Sequence, residues 1–121
     1  MVKSVTSLGR SGVADFVIQR LSAVILLAYI LYLGFVVVST PDLGYADWKL
    51  TFEPTWMKVF SLLAILSLAG HAWIGWWAVL SDYVTERMMG AKATFLRLLA
   101  QFVGFVILVF YMVWAFQILW G

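Results

Sequence analysis

Cysteine is absent from this 121-residue chain, which excludes disulfide frameworks, thiolate nucleophiles and any iron-sulfur cluster held by its own side chains, because such clusters need Cys ligands. Charge is scarce as well. Asp, Glu, Lys and Arg make up 12% of the residues, against 64% apolar and 17% aromatic, and the mean hydropathy is +1.00. A soluble domain of this size is excluded, because small domains leave much of their surface exposed and here that surface has to face lipid. The net charge is +2, but the eight Lys and Arg are scattered singly, so nucleic acid is set aside as a partner. Proline is limited to Pro41 and Pro54, and histidine to His71. With no internal repeat and no low-complexity linker, the chain reads as a single membrane domain over residues 1–121.

What is present is three uncharged runs, residues 21–41, 59–81 and 98–121, of 21, 23 and 24 residues. About 20 apolar residues in a helix cross a bilayer, so each run is long enough, with some tilt. The expected fold is an all-α membrane protein with three transmembrane helices: helix 1 over about 12–40, helix 2 over about 55–82 and helix 3 over about 92–120. Pro41 stops helix 1, Pro54 suits the first turn of helix 2, and Gly90 breaks the second loop, residues 82–97. The first 20 residues are polar and precede an apolar run too long for a signal peptide, so an uncleaved amino-terminal tail is expected. Lys3, Arg10 and Arg20 on the tail side join Arg87, Lys92 and Arg97 of the second loop, against Lys49 and Lys58 on the other side. The positive-inside rule then puts the amino terminus in the cytoplasm and the carboxyl terminus in the periplasm. Trp48, Trp56 and Trp120 fit an outer aromatic belt of interfacial anchors.

His71 lies near the middle of the second run. An ionisable group at that depth is costly and usually faces the bundle interior with a partner, which makes it a candidate functional residue. At about 100° per residue, Ala64, Ser67, His71, Gly75, Ala78 and Asp82 share one stripe of helix 2. Small residues there suit close helix packing, and equally suit the approach of a flat cofactor to an imidazole. Haem ligation calls for the histidine and its small neighbours together, and is preferred to a packing histidine. One histidine supplies one axial bond, and Met1, Met57, Met88, Met89 and Met112 all lie away from its depth. The second ligand to a low-spin b-type haem therefore comes from another chain. A proton relay from His71 to Asp82 is the rival, weakened by an axial separation of about 16 Å.

Asp82 and Tyr83 end helix 2 on the expected cytoplasmic side. Interfacial Tyr and a solvated carboxylate are ordinary there. The functional alternative is a quinone head-group site, in which Tyr83 donates a hydrogen bond to a quinone carbonyl and Asp82 orients it or relays protons. Arg20, at the same end of helix 1, is placed to pair with a haem propionate or a partner's acid, or to snorkel to headgroups.

The stretch His71-Ala72-Trp73-Ile74-Gly75-Trp76-Trp77-Ala78-Val79-Leu80-Ser81-Asp82-Tyr83-Val84 resembles the hydrophobic membrane anchor subunits, D type, of bacterial succinate dehydrogenase, complex II. The tail segment Leu8-Gly9-Arg10-Ser11-Gly12-Val13-Ala14-Asp15-Phe16, the segment Lys58-Val59-Phe60 and the three-helix layout resemble that family too. The likeness spans nearly the whole chain, and the spacing from His71 to Asp82 and Tyr83 is its specific part. It implies one anchor of a four-subunit enzyme of the tricarboxylic acid cycle, in the bacterial inner membrane. A flavoprotein subunit there oxidises succinate, and an iron-sulfur subunit carries electrons to the anchor pair. By resemblance His71 is an axial ligand to haem b, with a histidine of the C-type anchor as the other. Tyr83 is then the quinone's hydrogen-bond donor with Asp82 beside it, Arg20 lies near haem and quinone, and ubiquinone is the quinone favoured. Ala14 stands where some members carry a histidine, and the loop from Thr85 to Arg97 is longer than in some members. No activity is expected of the isolated chain. The alternatives are the anchor of a fumarate reductase, which runs the reverse reaction, and a non-catalytic three-helix scaffold or proton-relay subunit.

Overall fold

The computed structural model describes residues 12–121, so Lys3, Arg10 and the Leu8-Gly9-Arg10-Ser11 part of the tail segment lie outside the described residues. The elements in order are α1 (Gly12–Ser39), α2 (Tyr45–Thr51), α3 (Thr55–Tyr83), α4 (Glu86–Met89), a 3-10 turn (Gly90–Lys92) and α5 (Ala93–Trp120). Lipid offers backbone N–H and C=O groups no partner, so long apolar runs satisfy them internally as helix. At 28, 29 and 28 residues, α1, α3 and α5 extend over about 42–44 Å, enough to cross a hydrocarbon core of about 30 Å with a turn to spare at each end. All three are long and apolar enough to be membrane spans.

The helix ends have local causes. Thr40 precedes Pro41, and the proline ring disfavours helical backbone in the residue before it, so α1 closes at Ser39. The chain then turns through Asp42 at φ 59°, a left-handed conformation that Asp tolerates better than most residues. Pro54 is the N-cap of α3, with φ −59° and ψ 144°, one position ahead of the first turn in which it was expected. Its carbonyl accepts the N–H groups of Met57 and Lys58, each at 3.0 Å. Gly90, at φ 72°, breaks the second connection between α4 and the 3-10 turn, as its sequence position predicts. Both expected loops contain short helices, α2 in the first and α4 in the second.

The helix α3 packs against α1 and α5, which barely meet each other among the described residues. Its two neighbours take different sides: His71 faces α1 and Trp73 faces α5, two positions apart and so about 160° around the axis. On the α1 side the contacts run antiparallel. The Tyr29 ring meets Phe60 edge-on at 5.0 Å, and Tyr32 meets Trp56 at 5.6 Å. The Tyr29 hydroxyl and the Ser61 hydroxyl hydrogen-bond at 2.6 Å, with Ser61 only 2% exposed. On the α5 side, Trp76 Nε1–H donates to the Ala100 carbonyl at 2.9 Å, and Trp73 meets Phe105 at 6.4 Å. The indole of Trp76 occupies the space a side chain at position 104 would need: a Cβ on Gly104 would stand 2.5 Å from Nε1 and 2.7 Å from Cδ1. Large apolar side chains such as Val38, Phe102 and Ile118 point outward along α1 and α5, as surfaces that meet lipid or partner chains must.

Candidate functional site

Two polar contacts in the interior of the α1–α3 seam, Ser22–His71 and Tyr29–Ser61, follow from the antiparallel register. Ser22 and Tyr29, seven residues apart, lie on one face of α1, about 10 Å apart along the axis. Their partners on α3 are His71 and Ser61. Ser22 Oγ lies 3.0 Å from His71 Nδ1 and 3.1 Å from the Gln19 carbonyl one turn earlier, to which it donates. Ser22 is 4% exposed, so a serine in an otherwise apolar span has found partners across and within the helices, as polar groups in lipid must. Nε2 of the half-buried His71 makes no hydrogen bond among the described residues. The imidazole is thus held by one nitrogen and has the other free.

The small-residue stripe is divided in use. Ala64 is buried, Ser67, His71 and Gly75 are half-buried, and Ala78 and Asp82 are exposed. The middle of it receives α1: a Cβ on Gly75 would lie 3.9 Å from Gln19 Nε2, and one on the neighbouring Gly70 would lie 3.6 Å from Ile18 Cγ2. Close helix packing therefore takes part of the stripe, and its Ala78 and Asp82 end is open.

The structure does not bring Arg20 to His71. Arg20 stands two residues before Ser22, about 160° around α1, where it is exposed with its guanidinium 4.5 Å from the Phe16 ring centre. Asp82 and Tyr83 are the last two residues of α3, about 16 Å along the axis from His71. Both are exposed, Tyr83 at 62%, and neither hydrogen-bonds to another described residue. Phenol and carboxylate therefore stand free at the helix end, beside a buried Ser81 hydroxyl that also lacks a hydrogen-bond partner.

Ser22 is the functional neighbour that sequence reasoning passes over. Its signal is present: residues 21–38 are apolar apart from Ser22, Tyr29, Tyr32 and Gly34, and a buried hydroxyl seven residues from a tyrosine marks a seam. The opposite end of the molecule holds a groove of about 640 Å³ lined by Tyr29, Trp48, Lys58, Ser61 and Trp120 among others. It contains none of the four candidate residues. Trp48 and Trp120 both line it, Trp48 edge-on to Phe52 at 5.0 Å and Trp120 stacked on Phe116 at 4.7 Å.

Among the described residues no group of three or more His, Cys, Asp or Glu converges on a metal position. A metal bound through His71 would take a single side-chain bond from that part of the chain.

No family model matches the sequence. A curated relative does: the succinate dehydrogenase hydrophobic membrane anchor subunit of Coxiella burnetii (strain RSA 493 / Nine Mile phase I) is 34% identical over 112 residues, covering 92% of this chain and 90% of that protein. Similarity of that extent covers most of the chain, and with the helical architecture it places this multi-pass membrane protein in the family of succinate dehydrogenase hydrophobic membrane anchor subunits.

Proposed function

We propose that the chain is the D-type anchor of a succinate:quinone oxidoreductase. It contributes His71 as one axial ligand of a haem b and Tyr83 as a hydrogen-bond donor to a quinone. The observation that carries this reading is the state of His71, a mid-span imidazole with Nδ1 engaged by Ser22 and Nε2 without a hydrogen bond among the described residues, in a chain of this family. That arrangement fits haem, because an axial histidine binds iron through one nitrogen and is oriented through the other. Bound haem supplies a one-electron redox centre within the membrane. The second axial ligand would come from a C-type anchor, since this chain has one histidine.

The residues at the end of α3 suit the quinone step. Reduction of a quinone to a quinol takes two electrons and two protons, so the head group has to sit near water. The Tyr83 hydroxyl is placed to donate to a quinone carbonyl oxygen, and the Asp82 carboxylate can take a proton from water, pass it to that oxygen as it is reduced, and then accept a hydrogen bond from the quinol hydroxyl. Arg20, exposed on α1, is available to a propionate or an acidic group from outside the chain. Orientation follows the Lys and Arg imbalance, with the amino terminus and the 82–97 connection on the cytoplasmic side of a bacterial inner membrane. On that side the chain docks an iron-sulfur subunit, which relays electrons from a flavoprotein, and ubiquinone is the proposed acceptor. The chain by itself does not oxidise succinate.

Purification through a tag on this chain from mild detergent tests the assembly. The expected result is a four-subunit complex with succinate:quinone reductase activity. A pure chain, or a complex without a flavoprotein, would contradict the reading.

A further inference from the structure

We infer that Ser22 is a positioning residue for the haem ligand: together with the Gln19 carbonyl it holds His71 in the tautomer protonated at Nδ1. The argument rests on the proposed ligation by His71 and counts protons. A serine hydroxyl has one hydrogen and two lone pairs. Ser22 Oγ stands 3.1 Å from the Gln19 carbonyl, which can only accept, and 3.0 Å from His71 Nδ1. The hydroxyl proton goes to the carbonyl. Oγ then meets Nδ1 with lone pairs, and both contacts are satisfied only when Nδ1 bears hydrogen. A neutral imidazole with Nδ1–H has its free lone pair on Nε2, the nitrogen that makes no hydrogen bond among the described residues. In the other tautomer Nε2–H would block ligation, and Ser22 would have to abandon the carbonyl to serve Nδ1.

Burial makes the choice matter. Ser22 is 4% exposed in the α1–α3 seam, where water does not readily replace a lost partner. The position is also limited sterically, since α1 approaches α3 closely at Gly70 and Gly75, on either side of His71. The acceptor at Nδ1–H also makes Nε2 a stronger electron donor to iron and favours the oxidised state.

The test compares Ser22→Ala, Ser22→Cys and Ser22→Thr in the purified complex, by haem-to-protein ratio and haem midpoint potential, with copurifying subunits confirming assembly. Cys keeps the volume but is a weak acceptor, whereas Thr keeps the hydroxyl and can bond the same preceding carbonyl. Ala and Cys are expected to raise the midpoint potential and to weaken haem retention about 10- to 100-fold, the usual effect of losing an outer partner of a metal ligand. Thr is expected to restore both. Wild-type potential and haem content in Ala and Cys would overturn the inference, and so would Thr and Cys behaving alike. A wild-type complex without low-spin b haem would instead overturn the ligation by His71 on which the inference rests.

Discussion

One oxygen atom distinguishes Tyr83 from phenylalanine, and it stands in the open at the end of α3 with no hydrogen bond to another described residue. Deleting it leaves the fold unchanged, because it holds no neighbour in place. Tyr83→Phe is therefore expected to lower quinone reduction about 10-fold or more, the equivalent of ~1.4 kcal/mol from one hydrogen bond to the reacting group. Succinate oxidation with an artificial acceptor is expected to be unaffected, since the proposed function puts the dicarboxylate site on another chain. Equal quinone reductase rates in mutant and wild type would return Tyr83 to interfacial anchoring. At this scale His71, Asp82 and Tyr83 were legible, because an imidazole in mid-span and a carboxylate and phenol at a helix end stand out in an apolar sequence. Ser22 was not. Serine is common in membrane helices, and its importance comes from a register between α1 and α3 that no local pattern specifies. Arg20 shows the reverse: its place at one end of the first helix was readable, while its position on the far side of α1 depends on which face α1 turns to α3.

At the scale of elements, the three long helices were readable because each fills a run without charge. Their ends fall at Ser39, Tyr83 and Trp120, within a residue or so of the boundaries set by Pro41, Asp82 and the end of the third run. The short helices escaped. α2 has seven residues and α4 has four, well below the length at which a helix is stable by its own propensity. The α2 segment lies beside the bundle, where Trp48 and Phe52 line the groove together with Tyr29, Ser61 and Trp120 of the long helices. Helix pairing was equally hidden: all three spans are apolar all round, so periodicity does not reveal that α3 is central. One glycine makes room for Trp76 in the α3–α5 contact. Gly104→Ala would ordinarily favour helix by up to about 1 kcal/mol, but the new Cβ would meet the Trp76 indole at 2.5 Å. Overpacking of that kind costs about 1–3 kcal/mol. The expected outcome is a lower thermal stability of the complex in detergent, with a weakened Trp76–Ala100 hydrogen bond. Unchanged or increased stability would mean that the Trp76 indole moves aside at little cost.

On the scale of the whole molecule, three helices with α3 between α1 and α5 make a layer rather than an enclosed core. Few side chains are buried: Met57, Ala64, Ile74, Leu80 and Ala93 are the buried apolar ones among the described residues. Such a layer suits an anchor, because its remaining faces are available to lipid and to other subunits, and a redox centre shared between chains can lie against it. On the proposed reading, sharing explains why a chain with one histidine and no cysteine can belong to an oxidoreductase: it would supply one bond and one hydrogen-bond donor to sites completed by other chains. Ligation by His71 is decided most directly by a dithionite-reduced minus oxidised visible spectrum of the complex, purified through a tag on this chain, for wild type and His71→Leu. The predicted result is a low-spin b-type spectrum in wild type that is lost or altered in the variant while the partner subunits still copurify. The same spectrum in both proteins, or no haem in a wild-type complex with all partners present, would contradict ligation by His71.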